Sequence, residues 1–143
     1  TGKQPGNKEN TSELSLYSRC LVNIPDQNFK NALLTHTPVI DTDGDGEISC
    51  QEAEDFNQVI AIGRKKGVEF LDGIEYFVNA KGFHLSENEV ESVDLSANVN
   101  MVNIMIFRNP LTDITLPTST DKLTDLNLSW CELTSLDVVL DIK

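Results

Sequence analysis

A chain of 143 residues is one domain in size, and no stretch of it is long and apolar enough to span a membrane. With 11 Lys and Arg against 23 Asp and Glu, its net charge is −12. That balance sets it against nucleic acid and anionic lipid and suits it to cations or basic partners, although most such charges simply solvate a surface.

From the start, residues 1–15 are polar and lack apolar periodicity, which predicts a flexible tether. The chain begins with Thr1, as a processed secretory precursor or a trimmed chain would. A small helical cap is expected over residues 16–57. Within it Leu21, Val22 and Ile24 suggest a short strand, and Pro25-Asp26 then offers a helix start with Asp26 as N-cap. Phe29, Ala32, Leu33 and His36 share one helical face, so the helix runs to about His36 and Pro38 ends it. At that end a charged His36 would favour the helix dipole, and a lone histidine is no metal site.

The next twelve residues run Asp41-Thr-Asp43-Gly-Asp45-Gly-Glu47-Ile-Ser49-Cys-Gln-Glu52. This spacing resembles the calcium loop of an EF-hand at every position. The resemblance implies one structural Ca²⁺. Asp41, Asp43 and Asp45 would give side-chain oxygens, Glu47 its carbonyl, Ser49 a direct or water-bridged contact and Glu52 a bidentate carboxylate. Gly46 would allow the sharp turn. Without a cation the same residues are an acidic turn capping the next helix, expected from about Cys50 to Asn57. Two departures matter: Pro38 stands where a helix would run into the first ligand, and no second loop exists. A structural staple therefore fits better than a sensor that swings open.

Residues 58–143 repeat. Phe83, Leu85, Asn88, Val90, Val93 and Leu95 match Ile104, Ile106, Asn109, Leu111, Ile114 and Leu116 at an offset of 21, and Leu126, Leu128, Cys131, Leu133, Leu136 and Val138 follow at 22. Ile60, Ile62, Val68 and Leu71 form a fainter first copy. The unit L-x-L-x-x-N-x-L-x-x-L-x-L resembles the leucine-rich repeat. It predicts an α/β fold: a short solenoid of parallel strands behind a helical cap. The L-x-L part is a strand with one face inward, and Asn88 and Asn109 donate and accept in the turn that follows. Cys131 takes that position in the third copy, as a small buried residue rather than a nucleophile. Of the three cysteines at least one is unpaired, and a Cys20–Cys50 bridge requires the cap to bring the two together.

Ile24-Pro-Asp-Gln-Asn-Phe29, the acidic loop, Gly73-Ile-Glu-Tyr-Phe77 and the repeats, in that order, resemble gut-bacterial, internalin-like leucine-rich-repeat surface proteins over about residues 22–138. The resemblance implies export to the bacterial cell surface or outer membrane, with any lipid anchor upstream of Thr1. It names no ligand.

Residues alternating with the inward ones line the concave face: Gly82, His84 and Ser86, then Asn103, Met105 and Phe107, then Asp125, Asn127 and Ser129, with Trp130 after the last strand. An apolar cluster of Met105, Phe107 and Trp130 framed by His84, Asn103, Asp125 and Asn127 is a recognition patch for a protein or a glycan. The bland alternative has Phe107 and Trp130 cover each other or seal the solenoid's end. Enzymatic chemistry has little footing. No phosphate loop or nucleophile elbow occurs, the two histidines fall in different elements, and metal-dependent hydrolysis would need an open site at Asp41 and Asp43. Self-association at the C-terminal repeat edge, or its cover by residues 139–143, is the remaining alternative.

Overall fold

The computed structural model describes residues 20–134. The 1–15 tether, Leu136, Val138 and the 139–143 edge cover lie outside them. Helix α1 spans Gln27–Leu34 and helix α2 spans Cys50–Asp55. Strands β1 (Val59–Ile62), β2 (Gly82–Ser86), β3 (Ser92–Asp94), β4 (Asn103–Phe107), β5 (Asp113–Thr115) and β6 (Asp125–Asn127) follow, with a 3₁₀ turn at Ile74–Tyr76 between β1 and β2.

The repeat pattern becomes a parallel solenoid. One sheet runs in the order β1-β2-β4-β6 and a second pairs β3 with β5. All strand pairings are parallel, and the register sets Phe83 beside Ile104 and Leu85 beside Ile106. Inward residues of successive copies therefore stack on one another. Val90 and Val93 turn inward on the return limb, as their spacing requires, and Leu95 is fully buried there. The second sheet was not predicted from sequence. Each of its strands holds three residues with a single buried one, Val93 or Ile114, too short a run to show alternation.

Amide ladders close the turns after the strands. Asn88 accepts from the N–H groups of Lys66 and Val68 and donates to the carbonyls of Gly63 and Ser86. Asn109 accepts from Val90 N–H and donates to the Leu85 and Phe107 carbonyls. In the third copy the Cys131 thiol donates to the Ile106 carbonyl, 3.1 Å from sulfur to oxygen. Desolvation raises that thiol's pKa, with Glu132 adding to the shift and a hydrogen bond at Asn109 opposing it, so the sulfur is poorly activated for attack.

Just before each of these positions the backbone turns left-handed, at Glu87, Arg108 and Trp130, with φ of 53°, 58° and 59°, and Lys65, next to the Lys66 N–H that Asn88 holds, does the same at 57°. None is glycine. The ladder continues through these residues, since Glu87 N–H donates to Phe107 O and Arg108 N–H to Ser129 O.

The cap differs from expectation in three places. The helix ends at Leu34 with Thr35 as C-cap, so His36 lies outside it. His36 is buried, its Nε2 accepting from Ala61 N–H at 2.9 Å and its Nδ1 lying 2.8 Å from the Pro38 carbonyl. Both ring nitrogens thus face backbone groups beyond the helix rather than its last carbonyls. The expected strand at Leu21–Ile24 shrinks to one antiparallel bridge, Leu21 with Ser49. Beside it Cys20 and Cys50 are joined by a disulfide, their Cα atoms 5.4 Å apart.

Asp26 does more than cap α1. Its Oδ1 accepts from Asn28 and Phe29 N–H, and its Oδ2 accepts from Glu69 and Phe70 N–H. One carboxylate thus holds the start of the cap helix against the first repeat.

Candidate functional site

Two arrangements carry chemistry: the acidic loop of the cap and the open face of the four-stranded sheet. In the loop, Asp41 Oδ1 accepts from Gly44 and Asp45 N–H and its Oδ2 from Gly46 N–H. Gly44 and Gly46 adopt φ of 71° and 87°, the left-handed region that lets the chain curl around the Asp41 carboxylate. Asp43 and Asp45 turn inward through bonds from Asp45 and Glu47 N–H. The result is one carboxylate oxygen from each of Asp41, Asp43 and Asp45, all within 4.8 Å of one another.

Crowding shows at Asp43. The Asp45 N–H lowers its pKa, but desolvation, the charges of Glu52 and Asp45 and a contact with Asp41 outweigh that bond and raise it. A cation at this point would reverse the sign of the crowding.

Glu52 anchors the far end of the loop. Its Oε1 accepts from Thr42 N–H and hydroxyl and from Asp43 N–H, and its Oε2 accepts from Ser49 N–H and hydroxyl. Ser49 caps α2 in return, completing a capping box. Desolvation would raise the Glu52 pKa, but the bonds from Ser49, Asp43 and Thr42 outweigh it, so the group stays ionised. The Glu47 carboxylate is committed to Lys30, 2.7 Å away, which leaves Glu47 its carbonyl to offer. The carboxylates brought close together are those of Asp41, Asp43 and Asp45, with Glu52 outside that group, and all of them offer hard oxygens, the kind Ca²⁺ takes.

On the open face, register sets Gly82, Asn103 and Asp125 in one row and His84, Met105 and Asn127 in the next, with Ser86 beside Phe107. His84 Nε2 lies 2.6 Å from Asn103 Oδ1 and donates to it. That bond depends on Gly82, because a Cβ there would come within 2.8 Å of the Asn103 carbonyl and closer still to its amide. Asn127 Oδ1 accepts from Ser129 N–H and hydroxyl, and the Asp125 carboxylate accepts from the Thr124 hydroxyl.

Met105 and Phe107 are half-buried, whereas Trp130 is 76% exposed and lies under Arg108, 5.7 Å from guanidinium carbon to ring centroid. Sequence reasoning missed two participants: Thr42, which has no ligand character, and Gly82 in its space-making role.

The fold and these faces define a leucine-rich-repeat solenoid with a small N-terminal cap. Among solved structures, the chain is similar to an internalin from Listeria monocytogenes str. 4b F2365, with a TM-score of 0.61 and 22% identity over 79% of this chain. The match spans 32% of that internalin, about a third of its length. No protein-family model and no curated protein matches the sequence. Among the described residues no helix is long and apolar enough to cross a membrane.

Proposed function

We propose that the chain is an extracytoplasmic recognition module that binds a protein through the open face of its solenoid, with a calcium ion as a structural part of the cap. The carrying observation is the register that sets His84 and Asn103 beside Met105, Phe107 and Asn127 on one face. A half-buried apolar pair ringed by polar groups whose hydrogen bonds fix their orientation is how recognition surfaces are composed. A parallel-strand solenoid that fills its interior from the opposite face leaves these side chains free for a partner.

Export is supported by the Cys20–Cys50 disulfide, since such bonds persist in oxidising compartments. The EF-hand-like reading of residues 41–52 is supported by the three converging carboxylates and the all-oxygen donor set. Asp41, Asp43, Asp45, Glu47, Ser49 and Glu52 would hold the ion, which supplies charge neutralisation and rigidity rather than a reaction. The kinship with gut-bacterial surface proteins rests on the motif order alone.

The test is capture. Immobilised wild-type chain and a Met105→Ala/Phe107→Ala variant are exposed to extracellular and envelope proteins and to a glycan array. The wild type should retain a protein that the variant loses at least about tenfold, the loss expected on removing an apolar anchor worth over 1.4 kcal/mol. Equal retention by both sinks the assignment to this face. A glycan lost in the same way would change the partner class, and recovery of further copies of the chain alone would favour assembly.

A further inference from the structure

The segment that enters the cap is tied to the acidic loop three times. Val22 N–H donates to the Ile48 carbonyl at 2.8 Å, and Cys50 N–H donates to the Cys20 carbonyl at 2.7 Å. These bonds flank the Leu21–Ser49 bridge, and the Cys20–Cys50 disulfide closes the same pairing covalently. Residues 48–50 are at once the end of the loop and the start of α2. Ser49 is the N-cap, and Glu52, one turn on, reaches back to Thr42 and Asp43 near the loop's beginning.

The register matters because of what surrounds it. Ile40 at one end of the loop and Ile48 near the other are buried in the core, and Val22 is buried with them. Residues 20–22 thus brace the end of the loop that presents Ser49 and Glu52. A loop held at both ends has less freedom to lose when it closes on an ion.

We propose that the Cys20–Cys50 bond sets the cation affinity of the 41–52 loop, so that the oxidised chain binds Ca²⁺ tightly and the reduced chain weakly. This rests on the calcium reading given above. Reduction needs a dithiol: it delivers two electrons and two protons, the S–S bond breaks, Cys20 and Cys50 become thiols, and the reductant closes its own disulfide. The bridge at Leu21–Ser49 then relies on two hydrogen bonds alone, and the Ser49–Glu52 end of the loop gains freedom that ion binding must remove. Coupling is reciprocal, so Ca²⁺ favours the disulfide by the same factor by which the disulfide favours Ca²⁺. A chain of this kind loads its ion after oxidation and resists reduction once loaded.

The experiment uses the full chain carrying Cys131→Ser, so that Cys20 and Cys50 are its only thiols on reduction. Calcium is titrated by calorimetry into the oxidised and reduced forms, with circular dichroism confirming that the reduced form is folded. The dissociation constant should rise roughly tenfold on reduction, within the 5–150-fold range of typical couplings. In a second measurement the protein is equilibrated in mixtures of reduced and oxidised dithiothreitol. The ratio giving half-reduction should shift by the same factor between calcium and chelator, and should not shift in a Glu52→Gln variant. Equal affinities with an unmoved ratio overturn the coupling and leave the calcium reading standing. Absence of binding to the oxidised chain overturns both. Global unfolding on reduction also overturns the proposal, since the bond would then act on the whole fold.

Discussion

Replacing Asn88 by Ala should lower stability by about 2–4 kcal/mol, because two donors and two acceptors lose their partner, one of the bonds buried and the other three partly buried. The four groups are Lys66 and Val68 N–H and the Gly63 and Ser86 carbonyls, and Asn88 itself is 6% exposed. Urea unfolding monitored by circular dichroism reads the loss. Asn109→Ala, with three such bonds of which two are fully buried, should cost about as much. Asn88→Cys should recover part of the loss, since Cys131 shows that a thiol can hold one carbonyl at this position. A cost below about 1 kcal/mol for Asn88→Ala would mean that the turn relaxes and pairs its own backbone.

Asp26→Ala should cost about 3 kcal/mol, combining a lost N-cap of about 1 kcal/mol with two lost charge-assisted bonds to Glu69 and Phe70. Asp26→Asn keeps the acceptor that caps α1 but points an amide donor at two N–H groups, so it should cost less than Ala but remain measurable. The effect depends on pH. Burial acts to raise the Asp26 pKa, but the four N–H bonds from Phe70, Glu69, Phe29 and Asn28 outweigh it and lower the value below its usual 3.8. A carboxylate with a lowered folded pKa contributes stability that is complete above its unfolded pKa of about 3.9 and is lost as pH falls through the folded value. The wild-type advantage over Asp26→Asn should therefore be constant from pH 7 to about 5 and shrink below pH 4. A gap that holds its size down to pH 2 contradicts the clamp.

The solenoid could be read from sequence because each copy repeats its inward residues, so Phe83, Ile104 and Leu126 mark the same place in successive turns. Ladder residues were readable for the same reason: Asn88 and Asn109 recur at one offset, and an amide offers two donors and an acceptor at once. What stayed hidden lies in contacts without a side-chain pattern. The second role of Asp26 is played against backbone N–H groups 43 and 44 residues away. The disulfide needed the pairing of residues 20–22 with 48–50, which cysteine spacing cannot reveal. Left-handed turns at Lys65, Glu87, Arg108 and Trp130 were hidden because no glycine marks them. Of the face residues, strand alternation alone told which side chains share a surface. It could not tell that His84 donates to Asn103 or that Trp130 stands exposed under Arg108.

Thermal unfolding after chelation and again with added Ca²⁺, in parallel with Glu52→Gln, tests most directly whether the cap is held by an ion. Gln can still accept at the third helical position, so the variant keeps much of its capping while losing a charged ligand. Calcium at about 100 times its dissociation constant adds roughly 2.7 kcal/mol, enough to raise the wild-type midpoint by several degrees, while the variant stays where chelation left it. A wild-type midpoint that does not move, or a variant that rises equally, contradicts the account and leaves residues 41–52 an acidic turn that caps α2.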